Sequence, residues 1–401
     1  GFSLNGKKAD HEGMSSFQAL TTAIAAQVGT GNIAGCAVAL ATGGAGAIFW
    51  MWVSAFFGMA TIYGEAVLAQ TYRTTVDGQV TGGPIYYIRA VFQGKFGKFL
   101  AGFFSIAIVF ALGFTGNMVQ ANSISDAFHN AFGVPKLVIG LATASVAAFI
   151  FLGGVRRIAS FTEKVVPIMA IFYVLGCTAL LIINHEAVPG ALRLIFTSAF
   201  STQAVFGGAA GITVQQAMRV GVAKGLFSNE AGMGSTPHAH AVAKVNHPVE
   251  QGFVAMAGVF IDTFIVLNLT ALVILTTKSI PTGKTGAELS QYAFSTLYGK
   301  GGNIFIAICM FFFAFSTIIG WYFFGQANVK YLFGPKAVKI YSVLAAVCVF
   351  LGSLAEVDLV WNMADCFNSL MVIPNILALF ALSKVISQVH KDYFKNFNKA
   401  K

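Results

Sequence analysis

Runs of about 20 apolar residues recur along this chain, and a helix of that length crosses the hydrocarbon core of a bilayer. Ten are predicted as spans: 16–40, 45–72, 98–122, 135–153, 161–183, 199–223, 251–277, 303–330, 337–354 and 361–386. Only 10% of the 401 residues are charged, against about 25% in a soluble domain. That is too few to solvate a globular surface, so the sequence reads as an all-α polytopic membrane protein. It opens on Gly1 with neither an initiator Met nor a signal pattern, and a fragment or processed chain is expected. The seventh to ninth spans are rich in Phe, as lipid-facing helices can be.

The net charge of +10 follows from topology. Counted from the N-terminus, alternate connections hold twenty of the 25 Lys and Arg residues, among them Arg73, Arg89, Arg156, Arg157, Arg219, Lys224, Lys244 and Lys330. The positive-inside rule then puts both termini in the cytoplasm, for a multi-pass protein of the plasma (inner) membrane. The bilayer is the expected partner, and nucleic acid is not implied. Cys36, Cys177, Cys309, Cys348 and Cys366 lie singly in or beside apolar segments and read as buried, inert thiols. GMGST at 232–236 lacks the Lys of a phosphate loop and follows no strand, so nucleotide binding is rejected. His238, His240 and His247 have no Cys or acidic partner at ligand spacing and read as a structural or gating loop rather than a metal site.

Helices two to five and seven to ten are offset by about 200 residues. Five spans is an odd number, so a second copy starts on the opposite side of the membrane and the repeat is inverted; transporters build midplane sites between such repeats. The expected division is an N-terminal segment 1–15, repeats at 16–183 and 184–386, and a basic tail 387–401.

Within the first span, AAQVGTGNIAG (Ala25–Gly35) puts glycines and polar groups near mid-membrane. Gly costs about 1 kcal/mol relative to Ala in a helix, and freed backbone groups survive in lipid only against protein, water or ligand. A break at Gly29 and Gly31 would free carbonyls for a cation and N–H groups for a carboxylate, with Thr30 and Asn32 adding polar side chains. Close helix packing is the alternative use of such small residues. The matching interruption is expected in helix six, at QAVFGGAAGITVQQ, residues 203–216. Glu65, Asp262 and Asp365 are acids within spans, each either a cation or proton residue or an interhelical partner.

GGAGAIFWMWVSAFFG (43–58) resembles the signature of the sodium:alanine (alanine/glycine:cation) symporter family. SSFQALTTAIAAQVGTGNIAG before it, TGGPIYYI (81–88) and GLFSNEAGMGSTPHAHA (225–241) are similar to further stretches of that family. The resemblance covers Ser15 to beyond Trp361. It implies a leucine-transporter-type five-plus-five inverted repeat with broken helices one and six, and sodium-driven uptake of alanine or glycine. Such proteins usually carry one more helix upstream, absent here. No cofactor beyond the coupling ion is implied.

Carried over by position, the resemblance gives Thr30, Gly31 and Asn32 to the substrate backbone. Gln120, less surely Asn117 or Asn122, goes to its ammonium or the pocket shape, and Phe206 and Gly207 to Gly211 to the sixth-helix break. Thr317 and Trp321 stand four residues apart on one face, with Trp321 as a wall against large side chains. Ala26, Gly29, Ala314 and Thr317 resemble the main sodium site. Gln120 could instead bond a neighbouring helix, and Trp321 could face lipid. The competing functions are a proton- or other cation-coupled carrier of another small amino acid, and a membrane-embedded enzyme using Asp262, Glu65 or the histidines.

Overall fold

The computed structural model describes residues 14–200 and 213–397. Apart from an antiparallel hairpin of β1 (Thr74–Val76) and β2 (Gln79–Thr81), the described residues are arranged as helices and their connections. Seven helices among them are long and apolar enough to cross a membrane, and one bent pair makes an eighth. Side chains such as Phe57, Phe149, Ile168 and Leu175 are exposed on the outside of the bundle, as a lipid-facing surface requires. The chain is a multi-pass membrane protein.

The bent pair comes first. α1 (Ser16–Gln27) opens on a capping box in which the Ser15 hydroxyl accepts from Gln18 N–H and the Gln18 side chain accepts from Ser15 N–H. α2 (Cys36–Gly43) continues at 44° to it after a break and a wide π turn at Gly31–Gly35. α3 (Gly46–Thr71) is the second span, and α4 (Pro84–Val91) is a short helix beyond the hairpin. α5 (Gly94–Ile108) runs through a π segment, Val109–Gly116, into α6 (Asn117–Phe132). α7 (Lys136–Phe151) and α8 (Gly154–Ile183) complete the first set of five.

The sixth expected span, 199–223, falls largely on residues 201–212, which lie outside the described residues; α9 covers Val188–Phe200, and α10 (Val214–Asn229) runs well past 223. The interruption that follows α10 is irregular chain at 230–236, leading into α11 (Pro237–Ala241). The polar, glycine-rich NEAGMGST stretch, which depresses hydropathy, begins at the last residue of α10, beyond the expected end of the span at 223. Arg219 and Lys224 are therefore on α10, which packs against α2 and α3, and not in the loop that follows it.

α12 (Pro248–Val259), a π segment at Phe260–Leu267 and α13 (Asn268–Thr276) form the seventh span. α14 (Gly286–Tyr298) is a connecting helix, and α15 (Lys300–Phe333), α16 (Ala337–Leu354) and α17 (Val357–Ala381) follow, with α18 (Ser383–Asp392) at the end. α15 is Phe-rich but central. It packs against α1, α6, α8, α14 and α16, and Phe313, Phe315 and Phe324 are fully buried. These three build the core, while Phe312 and Phe333 of the same helix are exposed. The thiols also divide: Cys36, Cys177 and Cys309 are buried, Cys348 is half-buried, and Cys366 is exposed.

Candidate substrate and cation site

The break after α1 is made by side chains that capture its amides. The last helical bond runs from Val28 N–H to Ile24 O. Gly29 N–H, which would continue the ladder to Ala25 O, donates instead to Asn32 Oδ1 at 2.9 Å. Thr30 N–H donates to Gln120 Oε1 at 3.1 Å, so the helix-three glutamine holds the break open. The carbonyl of Ala25 is thereby released toward α15.

Thr317 on α15 meets it. Its hydroxyl has Ala25 O at 2.9 Å, Phe313 O at 3.0 Å and Val28 O at 3.5 Å, and can donate to only one at a time. Ser316 Oγ is 2.9 Å from Phe313 O and 3.5 Å from Ala25 O. Three carbonyls and two hydroxyls thus converge, with Phe313 O also within the continuous helix α15, a set of neutral oxygens suited to a hard monovalent cation. Of the expected quartet, Thr317 belongs to this set, and the carbonyls that face it are those of neighbouring residues. Gly29 O is occupied by Asn32 N–H at 3.3 Å, so Val28 supplies the free oxygen. Ala26 packs against Gly320, and Phe313 rather than Ala314 offers its carbonyl. Gly29 contributes through what it lacks: a Cβ there would lie 2.3 Å from Thr317 Oγ1.

The second interruption lies beside the first. A Cβ on Gly31 would come 2.9 Å from Ser228 Cα, so the glycine serves close approach of the two segments. Gln27 Nε2 also donates to Asn229 O at 2.8 Å. α10 is capped by Glu230 in the left-handed region, φ 58°. Beyond it, Gly232 N–H and Gly234 N–H donate to Glu65 at 2.9 and 2.8 Å, and the Asn375 amide joins them. Glu65 is therefore the interhelical partner, an acid that organises a loop of amides. Phe206 and Gly207 to Gly211 lie outside the described residues.

Asp262, on the π segment of the seventh span, is wholly buried. It accepts from Asn32 Nδ2, from Ser228 Oγ at 2.9 Å and from Thr263 Oγ1 at 2.8 Å. Asn32 is thus spent on bracing, with its oxygen on Gly29 and its amide on Asp262. Asp365 pairs with Lys224 at 2.8 Å, and that ammonium sits 4.4 Å over the Trp361 ring.

Trp321 is buried, one turn after Thr317, and does not face lipid. Its six-membered ring lies where a Cβ on Gly116 would fall, 2.5 Å from Cζ3, and its edge meets Phe227 at a centroid distance of 5.6 Å. Its indole N–H donates to Glu230. The Thr30 hydroxyl, in the first break, is buried with no hydrogen-bond partner among the described residues. Asn117 binds its own helix at Gly113 O, leaving its Oδ1 unpartnered among those residues, and Asn122 ties α6 to the end of α16 through Gly352 O and Ala355 O. The three histidines have separate partners: Ser235 and Asn328 for His238, Gln251 for His240, Asp392 for His247. Ser228, Asn229 and Glu230 were not singled out in the sequence, although a polar SNE triplet flanked by glycines is the signal that could have marked a second break. Three π segments, at Gly31–Gly35, Val109–Gly116 and Phe260–Leu267, border this centre; π turns gather at functional sites.

A bent first span whose Ala25 and Val28 carbonyls face α15, beside the irregular chain that follows α10, is an arrangement that suits a secondary transporter coupling an ion to a small solute. The family model described as the sodium:alanine symporter family matches residues 2–401. The chain is 43% identical over 408 residues to the sodium/alanine symporter AgcS of Methanococcus maripaludis, covering 98% of this chain and 89% of that one. It is 40% identical to the probable sodium/glutamine symporter GlnT of Bacillus subtilis, over 95% and 78% of the two chains. Its fold matches the crystal structure of MhsT in complex with L-phenylalanine, with a TM-score of 0.66 at 13% identity, covering 93% of this chain and 89% of that one. The chain belongs to the sodium:alanine symporter family. It is a sodium-coupled amino-acid symporter of leucine-transporter-type fold, and a transporter rather than an enzyme.

Proposed function

We propose that this symporter takes up alanine and glycine across the inner membrane, with both termini cytoplasmic. The observation that carries the substrate class is Trp321, a rigid indole packed on Gly116 and Phe227 one turn from Thr317. Such a wall leaves room for a hydrogen or methyl side chain and clashes with a longer one. Sodium binds between Ala25 O, Val28 O, Phe313 O and the hydroxyls of Ser316 and Thr317. The substrate backbone meets the first break, where Thr30 offers its unpartnered hydroxyl and Gln120 holds the adjoining N–H. Gly31 and Asn32 act as framework, the one by letting Ser228 approach, the other by its bonds to Gly29 and Asp262. With Arg219 and Lys224 placed on α10, the basic residues still favour the side that carries Arg73, Arg89 and Lys244, which supports cytoplasmic termini.

The test is labelled-alanine uptake into proteoliposomes, with and without an inward sodium gradient, competed by unlabelled glycine, glutamine and leucine. Sodium-dependent uptake blocked by glycine alone supports the reading. Glutamine as the better competitor would replace the substrate, and uptake driven by a proton gradient without sodium would replace the ion.

A further inference from the structure

Glu230 is a wholly buried carboxylate at the first residue of the second break. Among the described residues it pairs with no Lys or Arg. One carboxylate oxygen accepts from the Trp321 indole N–H and the other from the Ser235 hydroxyl. Its backbone is left-handed, a region disfavoured for any residue with a Cβ. Glycine or asparagine would cap α10 with less strain, so the backbone gives no reason for a glutamate here. The reason lies in what the side chain holds.

We propose that Glu230 is a specificity-determining positioning residue, whose carboxylate fixes the Trp321 indole against Gly116 and so sets the side-chain size the transporter accepts. The proposal rests on reading Trp321 as the wall of the substrate pocket. An indole N–H is a donor only, and when buried it needs an acceptor; Glu230 is the acceptor present. The missing Cβ at Gly116 lets the ring lie close against that backbone, and the hydrogen bond to Glu230 fixes the other edge of its plane. Glu65 is an instructive contrast. It is equally buried but receives backbone and amide N–H groups, and so shapes a loop; Glu230 reaches across to a ring on another helix. α15 is then tied to both interruptions one turn apart, through Thr317 to the first and through Trp321 to the second.

The experiment is competition by unlabelled glycine, valine and leucine against labelled alanine uptake by purified variants in proteoliposomes. Trp321→Ala admits valine and leucine, by about tenfold or more in their potency relative to glycine. Glu230→Ala shifts the same ratio in the same direction. Trp321→Phe, which keeps a ring and loses the donor, shifts it likewise, and the double variant Glu230→Ala with Trp321→Phe shifts it no further, because both remove one interaction. Glu230→Gln keeps the wild-type rank order, since an amide oxygen accepts from the indole and its NH2 donates to Ser235. The indole 15N–1H resonance of Trp321, identified by its loss in Trp321→Phe, moves in Glu230→Ala and far less in Glu230→Gln. Should Glu230→Ala fail to fold, Trp321→Phe and Glu230→Gln carry the test. An unchanged rank order in Trp321→Ala overturns the wall itself. A changed order there with an unchanged one in Trp321→Phe, or a Glu230→Gln that shifts the order, overturns only the role given to Glu230.

Discussion

The two interruptions use the same device, side-chain oxygens that capture backbone N–H groups, with neutral amides in the first and a carboxylic acid in the second. In the first, side chains of Asn32 and Gln120 take the amides of Gly29 and Thr30, and the carbonyls of Ala25 and Val28 are left to face α15. In the second, the amides of Gly232 and Gly234 likewise donate to a side chain, here the buried Glu65. One break presents free acceptors, which suits a cation. The other is closed by an internal anion and is free to bear a fixed side chain, Glu230, toward α15. A broken helix thus gains its chemistry from whichever half of the peptide group its neighbours leave unpaired.

The largest effect is expected at the anion of the second break. Glu65→Ala leaves two backbone N–H groups and the Asn375 amide without their acceptor, at about 1–3 kcal/mol for each buried donor. Thermal unfolding in detergent should show a large loss of stability, with transport lost as well. Glu65→Gln retains one acceptor oxygen and should lose less. If Glu65→Ala melts like the wild type, the second break is held by something other than its anion, and the contrast fails.

Next comes Gly31. A Cβ would meet the Ser228 backbone at 2.9 Å, and backbone cannot step aside as a flexible side chain can. Gly31→Ala should cost about 1–3 kcal/mol of overpacking and weaken alanine binding, as the two breaks are pushed apart. Binding at wild-type affinity would show that they move independently. Gly29→Ala intrudes on Thr317 Oγ1 and Gln120 Oε1 instead. It should raise the sodium requirement about tenfold or more, a tenfold change corresponding to about 1.4 kcal/mol. An unaltered sodium dependence would mean that the cation does not sit at the first break.

Much of this was legible in the sequence, and the failures are physical. Apolar run lengths located eight of the expected spans, because a bilayer fixes helix length. The first break was legible because Gly29, Thr30, Gly31 and Asn32 are all poor residues for a membrane helix and stand together. The irregular stretch after α10 was not singled out because a segment rich in Glu, Asn and Ser looks like a loop to a hydropathy window, and only burial reveals that Ser228 and Glu230 lie inside the protein; the interruption expected at 203–216 lies largely outside the described residues. Which carbonyls face α15 was not legible, because carbonyl availability depends on where each amide goes. Gly29 N–H turning to its own Asn32 is a side-chain event with no sequence period. The Phe-rich α15 shows the same limit: composition gives an apolar helix, and its packing against five others decides that it is central.

The smallest effects should separate the two hydroxyls of α15. Thr317 Oγ1 approaches Ala25 O to 2.9 Å and is also within 3.5 Å of Val28 O, so it touches both released carbonyls. Ser316 Oγ is 3.5 Å from Ala25 O and is already bonded within its own helix to Phe313 O at 2.9 Å. Thr317→Ala removes the better-placed oxygen and should raise the sodium concentration for half-maximal uptake several-fold, with little change in the alanine concentration for half-maximal uptake at saturating sodium. Ser316→Ala should move the same quantity in the same direction by less, about twofold, a change of roughly 0.4 kcal/mol. Both are read from initial rates of labelled-alanine uptake against sodium at fixed alanine. If Ser316→Ala has the larger effect, the cation sits toward α8, where Met169 Sδ lies 3.5 Å from the Ser316 hydroxyl, and the first break is not its principal ligand. If Thr317→Ala shifts only the alanine dependence, the first break serves the substrate, and its free carbonyls have some other partner than sodium.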